Sequence, residues 1–152
     1  MSTELDRSTA PLPCTGARAR RLTRRLTSFY EQRLRTIGLK LGQYSLLMHL
    51  SAQPQSMSEL AAHLEMDRTT LTRSLGPLLD HGWVRAVTGS DARRHLFALS
   101  EEGLRFRQHA RQHWEQAQLA LETQLGRDFV RGLNLQLELA LERLKPILAD
   151  DN

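Results

Sequence analysis

Two helices separated by a three-residue turn are the sequence feature that most constrains the fold. The stretches SELAAHL and RTTLTRSLGPLLD both repeat apolar residues at helical spacing, and EMD lies between them. Asp67 supplies an N-cap for the second helix, which we expect over residues 68–81, and Gly82 ends it. A turn this short brings the two helices into contact, and the small side chains of Ala61 and Ala62 permit a close crossing.

After Gly82 the apolar period changes from 3.6 to 2. WVRAVT (83–88) and RHLFAL (94–99) alternate in polarity and are joined by GSDA, which predicts a hairpin. Helix, short turn, helix and hairpin in this order form a winged helix-turn-helix. The expected fold class is therefore mainly α with a small β-hairpin wing (α+β), and this unit occupies residues 42–99.

Further helices flank the winged unit. Apolar stripes predict helices over 17–37, 42–52, about 101–125 and 128–148. The last helix is apolar on more than one side, so it needs a partner beyond its own core. We expect residues 16–41 and 100–150 to form the dimerisation region of a homodimer, with residues 1–15 as a flexible arm; burial within one chain is the alternative. The first helix also has a strongly basic face, formed by Arg18, Arg20, Arg21, Arg24, Arg25, Arg33 and Arg35.

Composition limits the other classes of protein. The 152 residues carry a formal charge of +4, which mildly favours an anionic partner, and one cysteine, which excludes an intrachain disulfide. The sequence has no long apolar run and no apolar core near its start, so we expect a cytoplasmic protein without membrane contact. It shows no Ser-His-Asp set, phosphate loop or metal cluster. We therefore expect no enzyme, no cofactor and no metal, and we interpret His109 and His113 as part of a solvated face.

Candidate DNA contacts lie on the second helix of the motif and on the wing. Arginine suits the guanine edge, and threonine reaches phosphate or a thymine methyl group. An arginine at the wing tip suits a narrow minor groove, where Asp91 would orient Arg93. Ser58 lies at the start of the first helix, which begins either with Ser58 as its cap or with a Ser56–Glu59 capping box. The alternative is an ordinary solvated polar face. The candidates are Ser58, Arg68, Thr69, Thr70, Thr72, Arg73, Asp91, Arg93, Arg94 and His95.

Gly76-Pro77 interrupts the second helix of the motif. Proline removes one helical hydrogen bond and crowds the preceding turn. Our hypothesis is a kink that lets residues 68–75 follow the groove while 78–81 turn back onto the body; a tolerated helix break is the alternative.

These stretches together resemble the MarR (multiple antibiotic resistance regulator) family of bacterial transcription factors. GLKLGQYSLLMHL, SELAAHLEMDRTTLTRSLGPLLDHGWV and DARRHLFALSEEG carry the resemblance, which covers roughly residues 16–148. It implies a homodimer that binds a pseudo-palindromic operator in double-stranded DNA and, in most members, represses until a small molecule or an oxidant releases it. By the same resemblance residues 68–73 fall on the recognition helix, and Asp91 and Arg93 match the Asp-x-Arg wing motif.

The resemblance leaves the effector open. A small aromatic or phenolic acid would be expected near Tyr30, Tyr44 and Met48, although core packing explains each of them as well. One branch of the family senses hydroperoxides through a cysteine paired with a tyrosine that matches Tyr30; Gly16 stands in the cysteine position, and Cys14 lies two residues earlier. Redox sensing through Cys14 and a winged-helix protein-interaction module are the alternatives to a ligand-released repressor.

Overall fold

Six α-helices, one short 3-10 helix (Arg35–Ile37) and three short strands are present in the computed structural model, which describes residues 14–88 and 95–149, with side chains as far as residue 145 in the second range. The wing lies between the fourth and fifth α-helices, as the change of period predicted. None of the helices in these ranges combines the length and hydropathy needed to cross a lipid bilayer. The elements are α1 (Thr15–Leu34), α2 (Leu41–His49), β1 (Gln55–Ser56), α3 (Met57–Leu64), α4 (Arg68–Asp80), β2 (Val84–Thr88), β3 (His95–Leu99), α5 (Glu101–Leu125) and α6 (Arg127–Ala149).

The helix-turn-helix is fixed by caps at both of its helix starts. Ser56 and Glu59 form the capping box of α3: the Ser56 hydroxyl accepts from the Glu59 amide, and the Glu59 carboxylate accepts from the Ser56 amide. Ser58 is therefore inside the first turn of α3 and is not its cap. Ala61 is half-buried against the core, as a close helix crossing requires, but Ala62 is exposed and takes no part in it.

The helix α4 runs through Pro77 without a break and ends at Asp80. Leu71, Leu75 and Leu78 are all buried and follow one another at helical spacing on either side of the proline. The residues after Pro77 thus continue the same buried stripe. The packing of α4 does not require the kink that we expected between residues 68–75 and 78–81.

The wing is a three-stranded antiparallel sheet with the order β1-β3-β2. Val84 pairs with Leu99 and Thr88 with His95, as expected for the hairpin. The strand β1 was not predicted because its two residues are too few to show a period of 2. Its pairing with β3 joins the start of α3 to the wing.

A close backbone contact joins the wing to α5. The Ser100 hydroxyl donates to the Gly82 carbonyl at 2.6 Å and accepts from the Gly103 amide at 2.9 Å. Gly103 is buried so tightly that a Cβ atom would overlap the Trp83 carbonyl oxygen and lie 2.8 Å from its carbon. The Trp83 ring stacks on Phe106, with centroids 3.6 Å apart, so α5 is held at the root of the wing by backbone and side chains together.

The helix α6 leaves most of its described apolar side chains uncovered within one chain. Val130 is buried, but the exposed fraction is 61% for Phe129 and 55% for Leu141. An apolar face of this extent on a long helix is unusual for a monomer. Exposed apolar side chains on α5 and α6 are Leu119, Leu125, Phe129, Leu135, Leu137, Leu141 and Leu144.

Replacing Gly103 by alanine should destabilise the whole protein. The added methyl group has no room beside Trp83, so we expect a loss of about 1–3 kcal/mol or more in the free energy of unfolding. Gly132 is the matched control because it is helical and exposed, and nothing lies within 4 Å of an added Cβ. Gly132→Ala should be neutral or stabilise by about 0.5–1 kcal/mol. Equal urea midpoints for the two variants would contradict the close contact.

Candidate nucleic-acid interface

One side of α4 carries a continuous exposed polar face. Arg68, Thr69, Thr72 and Arg73 line an open cleft of about 500 Å³ along the helix. The opposite side is the buried leucine stripe, which packs on α2 and α3. The helix is therefore braced from behind while its arginines and threonines face solvent, as predicted.

The N-terminus of α4 is organised by Asp67 and Thr70. The Asp67 carboxylate accepts from the Thr70 amide at 2.8 Å and from the Thr70 hydroxyl at 2.6 Å. The side-chain bond from Thr70, followed by its backbone bond, holds the pKa of Asp67 below its usual value. Thr70 was predicted as a DNA contact, but its hydroxyl proton is already committed to the cap.

The hydroxyl of Thr72 also bonds within the helix. It donates to the Arg68 carbonyl at 2.8 Å, so its hydroxyl hydrogen is not free for a partner. The methyl group and one oxygen lone pair remain available, which favours a contact with a thymine methyl group or with a donor. Among the described residues, no hydrogen bond engages the side chain of Thr69 in the same stretch.

A second cleft connects α4 to the wing. It has a volume of about 490 Å³ and brings together three of the predicted residues: Ser58 from α3, Arg68 from α4 and His95 from β3. Ser56, Met57, Glu59 and Phe97 complete its lining. The participation of Phe97 and Met57 was missed, because only the β1–β3 pairing brings these distant positions together and β1 has no sequence signature.

The predicted tip of the wing lies outside the described residues. This applies to Asp91, Arg93 and Arg94 and to the connection that the sequence predicted at GSDA. His95 is the first described residue after residues 89–94 and is exposed.

The three residues suggested for an effector are packed in or against the core. Tyr44 is buried and stacks on Trp114 with centroids 5.9 Å apart, and burial raises its pKa to about 12. The Tyr30 hydroxyl donates to Gln118 Oε1 at 2.5 Å; burial, and after it the charge of Glu122, raises the pKa of Tyr30. Met48 is half-buried against the same core. Core packing, the alternative interpretation, therefore accounts for all three in this structure.

Cys14 is the N-cap of α1, whereas the sequence placed it in the arm. Its Sγ accepts from the Ala17 amide at 3.4 Å, and the side chain is exposed. The helix begins at Thr15, inside the segment assigned to the arm.

Metal binding finds no support in the described part of the chain. Within it, no group of three or more His, Cys, Asp or Glu side chains has the geometry of a metal site. The His109 and His113 rings lie edge to face with centroids 4.7 Å apart, and no third ligand joins them among those residues.

The architecture agrees with comparisons to known proteins. Residues 37–94, from the end of the first helical segment to the wing, match the model of the MarR family. The HTH-type transcriptional regulator YwoH of Bacillus subtilis (strain 168) is 32% identical over 72 residues, which are 47% of this chain and 53% of YwoH. The chain thus aligns with about half the length of that curated relative.

Solved structures extend the similarity to most of the chain. The M. tuberculosis transcriptional regulator MosR, solved in complex with DNA, is 35% identical with a TM-score of 0.69, covering 86% of this chain and 98% of MosR. The repressor CouR on a 23-mer duplex gives 24% identity and a TM-score of 0.74, covering 84% and 92%, and shows the shared fold. The chain belongs to the MarR family of transcriptional regulators.

Replacing Thr70 by valine should raise the pKa of Asp67 toward its ordinary value. The change removes the hydroxyl that contributes most to the lowered pKa and keeps the β-branched shape. Because the folded pKa is depressed, this cap stabilises the protein above the unfolded pKa of Asp67, and the contribution is lost as pH falls through the lowered folded pKa. The stability advantage of the wild type over Thr70→Val should therefore disappear in acid.

A carboxyl NMR titration with parallel urea unfolding measures both effects. Thr69→Val is the control, since no side-chain bond from Thr69 to Asp67 contributes. An unchanged Asp67 titration in Thr70→Val would refute the capping role.

Proposed function

We propose that this protein is a DNA-binding transcriptional regulator that places α4 in the major groove of double-stranded DNA. The observation that carries the proposal is the exposed face of Arg68, Thr69, Thr72 and Arg73 on a helix whose other face is fixed in the core. Such a helix presents arginine forks and threonine methyl groups to base edges without moving relative to its brace. In this proposal Ser58 and His95, which line the adjoining cleft, contact the phosphates beside the groove.

The regulator acts as a homodimer in this proposal. The exposed leucines of α6 would be buried in an interface with a second copy of the chain. That copy presents the same apolar face, so the arrangement is self-complementary. Two recognition helices related by a two-fold axis fit a pseudo-palindromic operator, with half-sites about one helical turn apart.

We further propose that the protein represses and that a small aromatic or phenolic acid releases it. The helix α5 can couple a ligand site to the wing, because it contacts both regions. Trp114, near its middle, stacks on Tyr44. Ser100 and Gly103, at its start, contact the residues from which the wing begins. A ligand that separated Tyr44 from Trp114 would displace α5 and, with it, the wing relative to α4.

Binding to DNA is tested by selecting sequences from a random pool and measuring fluorescence anisotropy at several salt concentrations. Tight binding to the selected duplex with a steep salt dependence, against weak binding to a scrambled duplex, supports the proposal. Equal binding to both duplexes would favour the protein-interaction alternative. The same complex then screens aromatic acids and peroxides for release, and Cys14→Ser separates the two effector classes.

Replacing Arg73 by alanine should weaken binding to the selected duplex by about 1–3 kcal/mol, or roughly 5- to 150-fold, if the guanidinium contacts a guanine. Binding to scrambled DNA should change much less. Arg111→Ala removes the same charge from an exposed ion pair with Glu115 and should leave both affinities within about twofold. Equal losses on the two duplexes would make Arg73 a phosphate contact only.

Replacing Leu141 by glutamate should convert the dimer to a monomer. Leu141 is more than half exposed within one chain, so the change should leave the fold intact and oppose only the packing between copies. Gln53→Glu adds the same charge at an exposed position outside α5 and α6 and is the control. Sedimentation measures the mass, and circular dichroism the helix content. A monomeric wild type, or a dimeric Leu141→Glu, would contradict the proposed interface.

A further inference from the structure

We infer that the arginine face of α1 is a second nucleic-acid-binding surface, which holds phosphate backbone apart from the duplex that α4 contacts. The face is defined by five exposed arginines within two turns of α1: Arg18, Arg20, Arg21, Arg24 and Arg25. Two open clefts, of about 450 and 200 Å³, lie along it. Arg21, Arg24 and Arg25 form half of the lining of the larger cleft, and Arg18, Arg21 and Arg25 line the smaller one together with Leu22.

The arginine face is electrostatically unfavourable in the protein alone. Arg20 and Arg24, like Arg21 and Arg25, are four residues apart, and like charges at this spacing destabilise a helix. Arg18 also lies in the first turn of α1, where the helix dipole disfavours a cation, and that turn has no acidic residue. A bound polyanion would remove both penalties.

Nothing in the described residues neutralises this face. The ion pairs found among them involve Arg111, Arg127 and Lys145, each with a glutamate, and none involves the arginine face. The sequence of residues 1–13 holds only Glu4 and Asp6 against Arg7. An ordinary solvated helix face mixes both signs of charge, as α5 does in its Arg111–Glu115 pair, whereas this one does not.

The chemistry of the face fits a nucleic-acid backbone. All five cations are arginines, whose planar forks bind phosphate oxygens in pairs. Residues 18–25 rise by about 10 Å along the helix axis, a distance over which duplex DNA carries about six charges. A repeating polyanion can therefore engage several arginines at once.

The packing of α1 argues against the other classes of anionic partner. A helix that lies on a membrane inserts an exposed apolar face, but α1 uses its apolar stripe against α5, and Leu22 and Leu26 are partly buried. An acidic peptide would need an apolar pocket for anchoring, and the aromatic ring at this face, Phe29, is already covered by Arg33 at 5.1 Å.

The position of α1 separates this surface from the recognition helix. The main packing partners of α1 are α5 and α2, while those of α4 are α2, α3 and β2. The two surfaces therefore lie on helices that share only α2 among their main packing partners, and we propose that they hold two different segments of nucleic acid. A regulator built this way would bridge two segments of DNA.

A ternary-complex measurement tests this inference. The protein is first saturated with its selected duplex, and a fluorescent duplex of unrelated sequence is then added at several salt concentrations. The wild type should bind the second duplex. The triple variant Arg20→Gln, Arg21→Gln, Arg24→Gln should bind it at least tenfold more weakly, with a slope of log affinity against log salt smaller by about 2–3. Its affinity for the selected duplex should change less than twofold.

The matched control removes three cations that already have partners. Arg111→Gln, Arg127→Gln and Lys145→Gln lower the net charge equally, from the described ion pairs. The affinity of this variant for the second duplex should be within about twofold of that of the wild type. If the control variant lost as much affinity as the arginine triple variant, the effect would be due to net charge alone. Failure of the wild type to bind a second duplex overturns the inference. So does equal competition by polyglutamate or by anionic vesicles, or a loss of dimer mass in the arginine variant.

The result also separates this surface from the function proposed for α4. If selection yields no specific duplex, the protein should still bind DNA of unrelated sequence. The affinity for that DNA should be unchanged by Arg73→Ala and lowered in the arginine triple variant. If the selected duplex binds but no second duplex follows, only the inference about α1 fails.

Discussion

The contact between Gly103 and the Trp83 carbonyl is the constraint on which the rest of the structure depends. It lies where α4 has just ended, where β2 begins and where the long helix α5 starts. Ser100 bonds across the same junction, and the Trp83–Phe106 stack closes it. Because a backbone contact of this kind has no rotamer freedom, the direction of α5 and the position of the wing are fixed together.

This junction makes α5 the element that relates the two ends of the molecule. Toward its start it is tied to the wing, and along its length it packs on α1 and bears the Tyr30–Gln118 and Tyr44–Trp114 contacts. The exposed apolar face of α6 follows directly after it. In the proposed regulator, a change between two copies, or beside the tyrosines, would therefore reach the exposed face of α4 through one helix. This is the physical basis for proposing a regulator whose DNA affinity responds to a ligand.

Much of this arrangement could be predicted from the sequence because its signals are local. The Asp67 cap, the leucine stripe of α4, the left-handed Gly82 and the alternating strands each depend on residues a few positions apart. The non-local parts were missed. The strand β1 exists only because β3 lies beside it, and the packing role of Gly103 is visible only when Trp83 is in place. The kink expected at Pro77 was a local inference that the continuous buried stripe does not require.

For the candidate site, the sequence predicted which side chains are exposed, but it did not predict their hydrogen bonds or the clefts that they share. Periodicity placed Arg68, Thr69, Thr72 and Arg73 on the outside of α4, where the structure has them. It could not show that the Thr70 and Thr72 hydroxyls donate to Asp67 and to the Arg68 carbonyl, since hydrogen bonds depend on rotamers. Nor could it show that Ser58, Arg68 and His95 share a cleft, which depends on how the sheet pairs.

Amide chemical-shift mapping of the labelled protein during titration with its selected duplex tests the central claim most directly. If α4 enters the groove beside α3 and the wing, the largest changes will fall in residues 57–59 and 68–73 and at His95. The amides of the buried stripe, such as Leu75, will move little. Changes confined to α5 and α6, with residues 68–73 unmoved at saturation, would contradict the account.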